Sequence, residues 1–478
     1  MSHSNLLKII ALAGTGMAVG YVSWRRVSRL AEIQRYARIA KGKRIVVLGA
    51  GFAGMSVAAE LARLLPHRGE GEIMLIDERD FLLFTPMLTE AAGGELDARH
   101  ILSPVRNYSD RITFLEGRVT GIDAAQKVIT VLVGATGLDP GERHIKADHL
   151  VVALGSVTNF HHVPGVEENA LRMKHVQDAV AVCDRVLACL ERAAIEEIAD
   201  KRRELLTFVV AGGGYTGLET MAAINDLVRD SVDKYPNVQS SEVRTLLINP
   251  GDRLLTETSQ DLAAYAGRKL HERGVEVRMN TSITSAGEDY VEVNHNETIP
   301  TRTLIWAAGV KPNPIVEQLG VAKGKHGGIK VNGCCQVNDH PGIWALGDCA
   351  EIPRADGTGT YGPTAQNAIR QGRLVAGNIL AELRGDQPAA FRYSPVGELA
   401  LVGKHSGVAR VFGLKFSGLF AWAMWRAVYL AKMPGAAQRA RVLADWLLDL
   451  LFGREPLSLI PNAAQGEPTR QAAKTTVA

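Results

Sequence analysis

The sequence predicts an α/β protein with two Rossmann-like domains in series, followed by a helical C-terminal region. Three observations predict it. Arg44–Leu48 reads RIVVL and runs into the turn GAGFAG, then into the helical pattern MSVAAELARLL. Thr207–Ala211 reads TFVVA and runs into a second turn, GGGYTG, then into LETMAAINDL. From Gln438 to Phe452 the apolar residues recur at three-to-four spacing, the period of helices that bury one face.

Each element of the first turn has a physical reason. A continuous apolar run is typical of a strand covered on both faces of a parallel sheet. Gly49 makes the turn, Gly51 lets the backbone approach a pyrophosphate, and Gly54 allows close packing of helix and strand. Phe52 and Ala53 open the helix, where free N–H groups and the helix dipole favour an anion. The next strand, IMLIDERD, ends in Asp77 and Glu78, and a carboxylate there accepts hydrogen bonds from ribose hydroxyls. Strand, turn, helix and terminal acid in this order predict a dinucleotide site.

The second turn repeats the pattern at Gly212, Gly214 and Gly217, with Tyr215 and Thr216 between them. Its following strand, TLLIN, ends in Asn249 instead of an acid. A carboxylate would hold the 2′-hydroxyl of NADH and repel the 2′-phosphate of NADPH. Asn249 removes the repulsion, and Arg253 is close enough in sequence to meet a phosphate. Two readings stay open: NADPH is accepted, or Asn249 still bonds a hydroxyl and NADH is preferred. Two such sites about 160 residues apart imply two cofactors, a nicotinamide that delivers a hydride and a flavin that takes it. The cofactors then are FAD at the first site and NADH or NADPH at the second.

Composition excludes other classes. A chain of 478 residues with ordinary apolar and charged fractions suggests two to four domains. A net charge of +3, with no basic run interleaved with aromatics, excludes nucleic acid as a partner. Five cysteines without a CxxC pair or zinc spacing read as incidental thiols of a reducing compartment, and no metal site is expected.

The two ends concern membranes. Leu6–Trp24 is an apolar stretch close to the roughly 20 residues needed to span a bilayer, and Arg25, Arg26 and Arg29 follow it. An uncleaved anchor, a signal peptide and a surface helix remain open for it. Near the C-terminus, Pro434-Gly435 interrupts two helical patterns. In the second, Val442, Leu443, Trp446, Leu447, Leu450 and Leu451 form a stripe, preceded by Arg439 and Arg441 and followed by Arg454. Such a helix lies in a membrane interface with its basic ends near anionic lipid, or packs as a core helix or dimer seam.

Several longer stretches resemble the type II NADH:quinone oxidoreductases, the single-subunit NADH dehydrogenases of respiratory membranes. They are FLLFTPMLTEAAGGELDARHILSPVR (Phe81–Arg106), LVVALGS (Leu150–Ser156), LIWAAGVKPNP (Leu304–Pro314, with Gly309), GIWALGDCAEIP (Gly342–Pro353) and YGPTAQNAIRQG (Tyr361–Gly372). The C-terminal GVARVFGLKFSGLFAWAMWRAVYL is similar to the start of the family's membrane anchor. The resemblance implies that Asp348 contacts the ribityl chain of FAD and that Ala365 lies beside the flavin ring. It implies that Glu219 positions nicotinamide or relays protons, where the residues alone suggest a carboxylate on the helix dipole. It implies that Gln366 lines the quinone site. Electrons would pass to a membrane quinone without proton pumping, at the cytoplasmic face of the inner membrane, with the C-terminal amphipathic helix on the lipid surface and a homodimer possible. Three departures stand out: Arg370 where the family often has glutamine, Asn249, and the extra N-terminal helix.

The expected organisation is a 1–42 extension with its helix at 6–24, FAD-binding parts at 43–164 and 315–395, and an NAD(P)H-binding domain at 165–314. A membrane-anchoring region at 396–460 and a disordered tail at 461–478 complete it. Four rivals compete with this reading. A disulfide reductase would need a CxxxxC after the first nucleotide fingerprint, and none follows. A sulfide:quinone oxidoreductase needs a reactive cysteine pair and no nicotinamide; Cys349 in GDCA reads as structural. A reductase of a soluble electron carrier would not need the hydrophobic C-terminal helices. A low-turnover nucleotide-sensing flavoprotein fits the folds equally.

Overall fold

The structure, a computed structural model, describes residues 40–65, 71–134, 140–395, 397–455 and 457. The candidate helix at 6–24 and the tail at 461–478 lie outside the described residues. The chain forms two compact units, each discontinuous in sequence. The first takes the described residues up to Leu82, then Pro104–Ser156 and Pro312–Tyr393; the second takes Leu83–Ser103, Val157–Lys311 and the described residues from Ser394 onward.

In chain order the main elements begin with β1 (Arg44–Leu48), α1 (Phe52–Leu64), β2 (Glu72–Asp77) and the short α2 (Leu88–Ala92). Then come β3 (Ile112–Asp123), β4 (Val128–Val133), β5 (Gly141–Lys146), β6 (His149–Val152), β7 (Leu171–Arg172) and α3 (Val176–Ile195). The middle of the chain supplies β8 (Thr207–Ala211), α4 (Tyr215–Ser231), β9 (Arg244–Ile248), α5 (Gln260–Glu272), β10 (Val275–Arg278) and β11 (Thr303–Trp306). The last are β12 (Ile343–Ala345), α6 (Ala365–Arg384), β13 (Gly397–Leu401), β14 (Gly407–Val411), β15 (Leu414–Ser417), α7 (Gly418–Lys432) and α8 (Ala436–Phe452).

The first unit is built on a seven-stranded sheet of order β12-β6-β1-β2-β3-β4-β5. β1 pairs in parallel with β2 on one side and β6 on the other. The chain therefore reverses its direction of winding at β1, and the carboxyl end of β1 is the crevice where such sheets bind ligands. β3, β4 and β5 form an antiparallel meander that extends the edge. Ile45, Val46, Val47 and Leu48 are all fully buried, as a strand covered on both faces requires. α6 packs across α1, and at Gly372 a Cβ would stand 2.6 Å from the Ala53 carbonyl oxygen, so only glycine allows this approach.

The second unit repeats the plan in a five-stranded parallel sheet of order β7-β11-β8-β9-β10, with its reversal at β8. A separate core gathers behind it around Val209, Leu246, Ile248, Leu304 and Trp306. The three-stranded antiparallel sheet β13-β14-β15 and helices α7 and α8 belong to the same unit. So does Leu83–Ser103, which contributes α2 against α3 and α4.

The C-terminal apolar stripe divides in two. Val442 and Trp446 are buried, whereas Leu443, Leu447, Leu448, Leu450, Leu451 and Phe452 are exposed. α8 thus has a core face and, opposite it, an exposed apolar face. Arg454 departs from the expected lipid-facing position: it is buried, donating to the Gly93 carbonyl at 2.7 Å and pairing with Glu95 at 2.6 Å. A guanidinium taken out of water needs such partners, and segment Leu83–Ser103 supplies them. Arg426 in α7 turns inward for the same reason, contacting Glu95 at 2.8 Å and Glu90 at 3.2 Å. Among the described residues no helix is long and apolar enough to cross a membrane.

Candidate functional site

Both glycine turns sit at the carboxyl end of the strand where their sheet reverses. Gly49 (φ +98°) and Gly212 (φ +111°) occupy the left-handed half of conformational space, and a Cβ there would stand 2.3 Å from the Ala153 oxygen and 2.5 Å from the Ala307 oxygen. The third glycine packs against the first: a Cβ at Gly54 or Gly217 would lie 1.9 or 1.8 Å from the carbonyl oxygen of Gly49 or Gly212. Closeness here is between helix and turn, more than between helix and strand. The middle glycines, Gly51 and Gly214, face open space, with nothing within 4 Å of a Cβ. Each is the N-cap of its helix, α1 or α4, without a side-chain cap. The first-turn N–H groups at Phe52–Ala53 and at Tyr215–Thr216 are therefore not closed off by a capping side chain, which is the geometry a pyrophosphate needs. The residues present fit two dinucleotides.

Asp77, at the end of β2, accepts from the Ala50 N–H at 2.6 Å through Oδ2 and from the Arg79 N–H at 2.9 Å through Oδ1. It ties the turn to the neighbouring strand and keeps a charged acceptor at the crevice. Glu78 is exposed beside it and pairs with Arg118 at 3.1 Å. Asn249 occupies the matching place in the second unit. Its Oδ1 accepts from the Gly213 N–H at 3.0 Å, reproducing the bond that Asp77 makes. Its amide nitrogen donates to the carbonyls of Gly251 at 3.2 Å and Arg253 at 3.1 Å. The structural bond is kept, the charge is gone, and both amide hydrogens are engaged. The Arg253 guanidinium donates to the Thr256 carbonyl. Gly309 (φ +133°), just beyond β11, faces His161, whose Nε2 lies 3.1 Å from the Ala308 oxygen.

In the first unit a short 3-10 turn, Gly347–Cys349, follows β12 and carries Asp348. Ser156 donates to Asp348 Oδ2 at 2.7 Å, and Gln371 Oε1 accepts from the Gly347 N–H at 2.9 Å. Ser156 and Gln371 are supporting residues that the motif reading quoted without assigning. Cys349 is fully buried, with its thiol against the carbonyls of Val152 and Leu346. Burial pushes this thiol up to about 11, which removes it as a nucleophile at neutral pH. Ala365 is the first residue of α6, and Thr364 caps that helix by accepting from the Asn367 N–H. Gln366 follows, its Oε1 accepting from the Tyr393 hydroxyl at 2.7 Å.

Glu219 lies in the second turn of α4. Its Oε1 accepts from the Leu401 N–H at 3.0 Å and the Trp425 indole N–H at 3.2 Å. Burial outweighs both bonds and pushes the carboxyl up to about 8. This is more than a helix-dipole carboxylate: at neutral pH the group holds a proton. Trp425 meets Tyr429 at a tilt, ring centroids 4.6 Å apart, and burial also raises the Tyr429 phenol. Trp425 and Leu401 were invisible as partners because they lie about 200 residues away in sequence.

Comparison with known proteins agrees with this geometry. Residues 43–372 match the family model described as pyridine nucleotide-disulphide oxidoreductase, and residues 396–455 match the NDH2 C-terminal domain. A probable NADH dehydrogenase of Dictyostelium discoideum is 30% identical over 428 residues, covering 88% of this chain and 92% of that protein. The type II NADH:quinone oxidoreductase Ndh of Mycobacterium tuberculosis is 29% identical over 427 residues, covering 86% of this chain and 89% of that one. The solved structure of NDH2 from Plasmodium falciparum in complex with NADH superposes with a TM-score of 0.80 at 20% identity, covering 87% of this chain and all of that one. The two glycine turns, the NDH2-type C-terminal region and these matches place the chain in the type II NADH:quinone oxidoreductase family of pyridine nucleotide-disulphide oxidoreductases.

Proposed function

We propose that this chain oxidises NADH or NADPH and reduces a membrane quinone, as a flavoenzyme attached to the membrane surface. The observation that carries the reading is the pair of uncapped helix N-termini over open glycines, Gly51 and Gly214, each at the reversal point of its own sheet. When bound, FAD supplies the two-electron chemistry, accepting a hydride from the nicotinamide and passing electrons to the quinone. The names of the relatives support both the donor and the acceptor.

The chain's residues then bind, orient and manage protons. The α1 N-terminus, with Phe52 and Ala53, holds the FAD pyrophosphate; Asp77 and Glu78 receive the ribose. Asp348, braced by Ser156, would hold the ribityl chain, and Ala365, at the start of α6, would lie beside the flavin ring. Gly214–Gly217 holds the nicotinamide dinucleotide, with Gly309 allowing close approach. With no carboxylate at position 249, the repulsion that an acid there would exert on a 2′-phosphate is removed, so both NADH and NADPH are donors. Glu219 stores the proton that quinone reduction consumes. Gln366 stands on the acceptor side.

The exposed leucines of α8 support attachment to lipid, and with it a lipophilic acceptor over a soluble carrier. We place the enzyme at the cytoplasmic face of the inner membrane, as a homodimer paired through its C-terminal helices, with electron transfer not coupled to pumping. Gln366→Ala tests the acceptor side. It is expected to slow flavin reoxidation by a quinone analogue roughly tenfold or more, while bleaching by NADH changes less than about twofold. Equal losses in both half-reactions would refute the assignment.

A further inference from the structure

A dinucleotide seated on the second glycine turn has two halves, and the sheet beneath gives each a place. β8 carries the turn, with β9 on one side of it and β11 on the other. Asn249, at the end of β9, stands where the adenosine ribose of such a ligand is read. With the pyrophosphate on the α4 N-terminus, the nicotinamide half then extends over the end of β11. The turn abuts that end: a Cβ at Gly212 would lie 2.5 Å from the Ala307 oxygen and 2.9 Å from the Ala308 Cα.

A side chain with hydrogen-bonding capacity lies at this strand end. His161 Nε2 is 3.1 Å from the Ala308 carbonyl oxygen. A carbonyl only accepts, so Nε2 carries the hydrogen, and in the neutral ring Nδ1 is an acceptor. At Gly309 a Cβ would stand 3.2 Å from His161 Nε2, so the missing side chain there lets the imidazole lie against the strand. The loop that carries the ring is pinned to the same place. Asn159 N–H donates to the Gly309 oxygen at 3.1 Å, and the Trp306 indole N–H donates to the Asn159 oxygen at 2.7 Å. The His161 N–H donates to Asn159 Oδ1 at 3.0 Å.

His161 (φ +52°) and His162 (φ +56°) both adopt the left-handed conformation, which residues other than glycine seldom take. Such backbone persists where surrounding contacts fix it, and it gathers at ligand clamps. His161 is exposed, so its ring does not fill a core.

We propose that His161 binds the nicotinamide half of the dinucleotide, its Nδ1 accepting a hydrogen bond from a donor on that half. Two groups there carry a suitable hydrogen, a hydroxyl of the nicotinamide ribose and the carboxamide NH2. This rests on the reading of Gly212–Gly217 as the nicotinamide dinucleotide site.

The test is calorimetric titration of the oxidised holoenzyme with NAD+, ADP-ribose and ADP, which reads Kd without turnover. The variants are His161→Gly, His161→Asn and His162→Gly; glycine and asparagine both tolerate the left-handed backbone. His161→Gly is expected to raise the Kd of NAD+ about fivefold, the effect of one lost hydrogen bond, and to leave that of ADP unchanged. His161→Asn, which removes the ring but keeps the backbone preference, is expected to do the same. His162→Gly frees the same loop without removing the His161 ring and should leave all three values unchanged. ADP-ribose identifies the donor: a loss shared with NAD+ marks the ribose hydroxyl, and an unchanged value marks the carboxamide. An unchanged Kd of NAD+ in both His161 variants, an equal loss for ADP, or an equal loss in His162→Gly would overturn the proposal. A wild-type holoenzyme that does not bind NAD+ would instead remove the reading of the second glycine turn, and this inference with it.

Discussion

At the scale of single residues, the most informative side chain is Glu219. Its carboxyl is held in a site that burial makes hostile to charge, raising it from an ordinary 4.5 to about 8. The folded-state value lies above the unfolded one, so the protonated form stabilises the fold. That contribution is fully present below the unfolded value and is lost as pH rises through about 8. Glu219→Gln has no proton to lose. The wild-type thermal midpoint is therefore expected to fall relative to that of Glu219→Gln as pH is raised from about 5 to about 9. A difference between the two that stays flat with pH would show that Glu219 titrates normally. The residue itself was legible from its place in TGLET, but its protonation was not. That comes from burial, which outweighs the bonds from Leu401 and Trp425, partners that no local pattern connects to α4. Asn249 was legible in the opposite sense: its type foretold the missing charge, while only the structure reveals that both amide hydrogens are consumed within the turn.

At the scale of elements, the glycine turns were read almost completely, because a tight turn, an uncapped helix and a buried parallel strand each leave a short-range mark. The C-terminal helices were harder. Periodicity located α8 but not the boundary between its buried and exposed faces, since leucine serves core and lipid alike. Arg454 looked like a lipid-facing charge; it and Arg426 are inward anchors because Glu90 and Glu95 arrive from a distant segment. Glu90 itself is raised well above a normal carboxyl, first by burial and then by Glu95 beside it. The exposed face gives the element-scale prediction. In a chain without residues 1–39, replacing Leu447, Leu450 and Leu451 by Glu is expected to weaken binding to anionic lipid vesicles by more than about a hundredfold. The unfolding midpoint should change little, because these side chains are exposed. Full retention on vesicles would show that α8 does not carry the attachment. Truncation after Met433 would be a poorer test, since it also removes the buried Trp446 and Arg454.

At the scale of the whole molecule, the chain crosses between its two compact units repeatedly. Leu83–Ser103 leaves the first nucleotide unit after Leu82 to join the second, and the C-terminal sheet and helices join it there. Sequence order alone does not convey this; for Leu83–Ser103 the destination shows in the ion pairs that Glu90 and Glu95 make with Arg426 and Arg454. What the two units share is a plan in which each reversal of strand order carries one glycine turn. A chain that binds two dinucleotides in this way is suited to move two electrons from one to the other and on to a third molecule.

The most direct test is anaerobic rapid mixing of the purified holoprotein with NADH and, separately, with NADPH, followed by a quinone analogue, while the visible absorption of the flavin is recorded. Bleaching by both nucleotides is expected, at rates within about a hundredfold of each other, with rapid recovery of absorption when the quinone is added. Bleaching without recovery would contradict the quinone reductase assignment, and a preference for NADH of more than about a hundredfold would contradict the role given to Asn249.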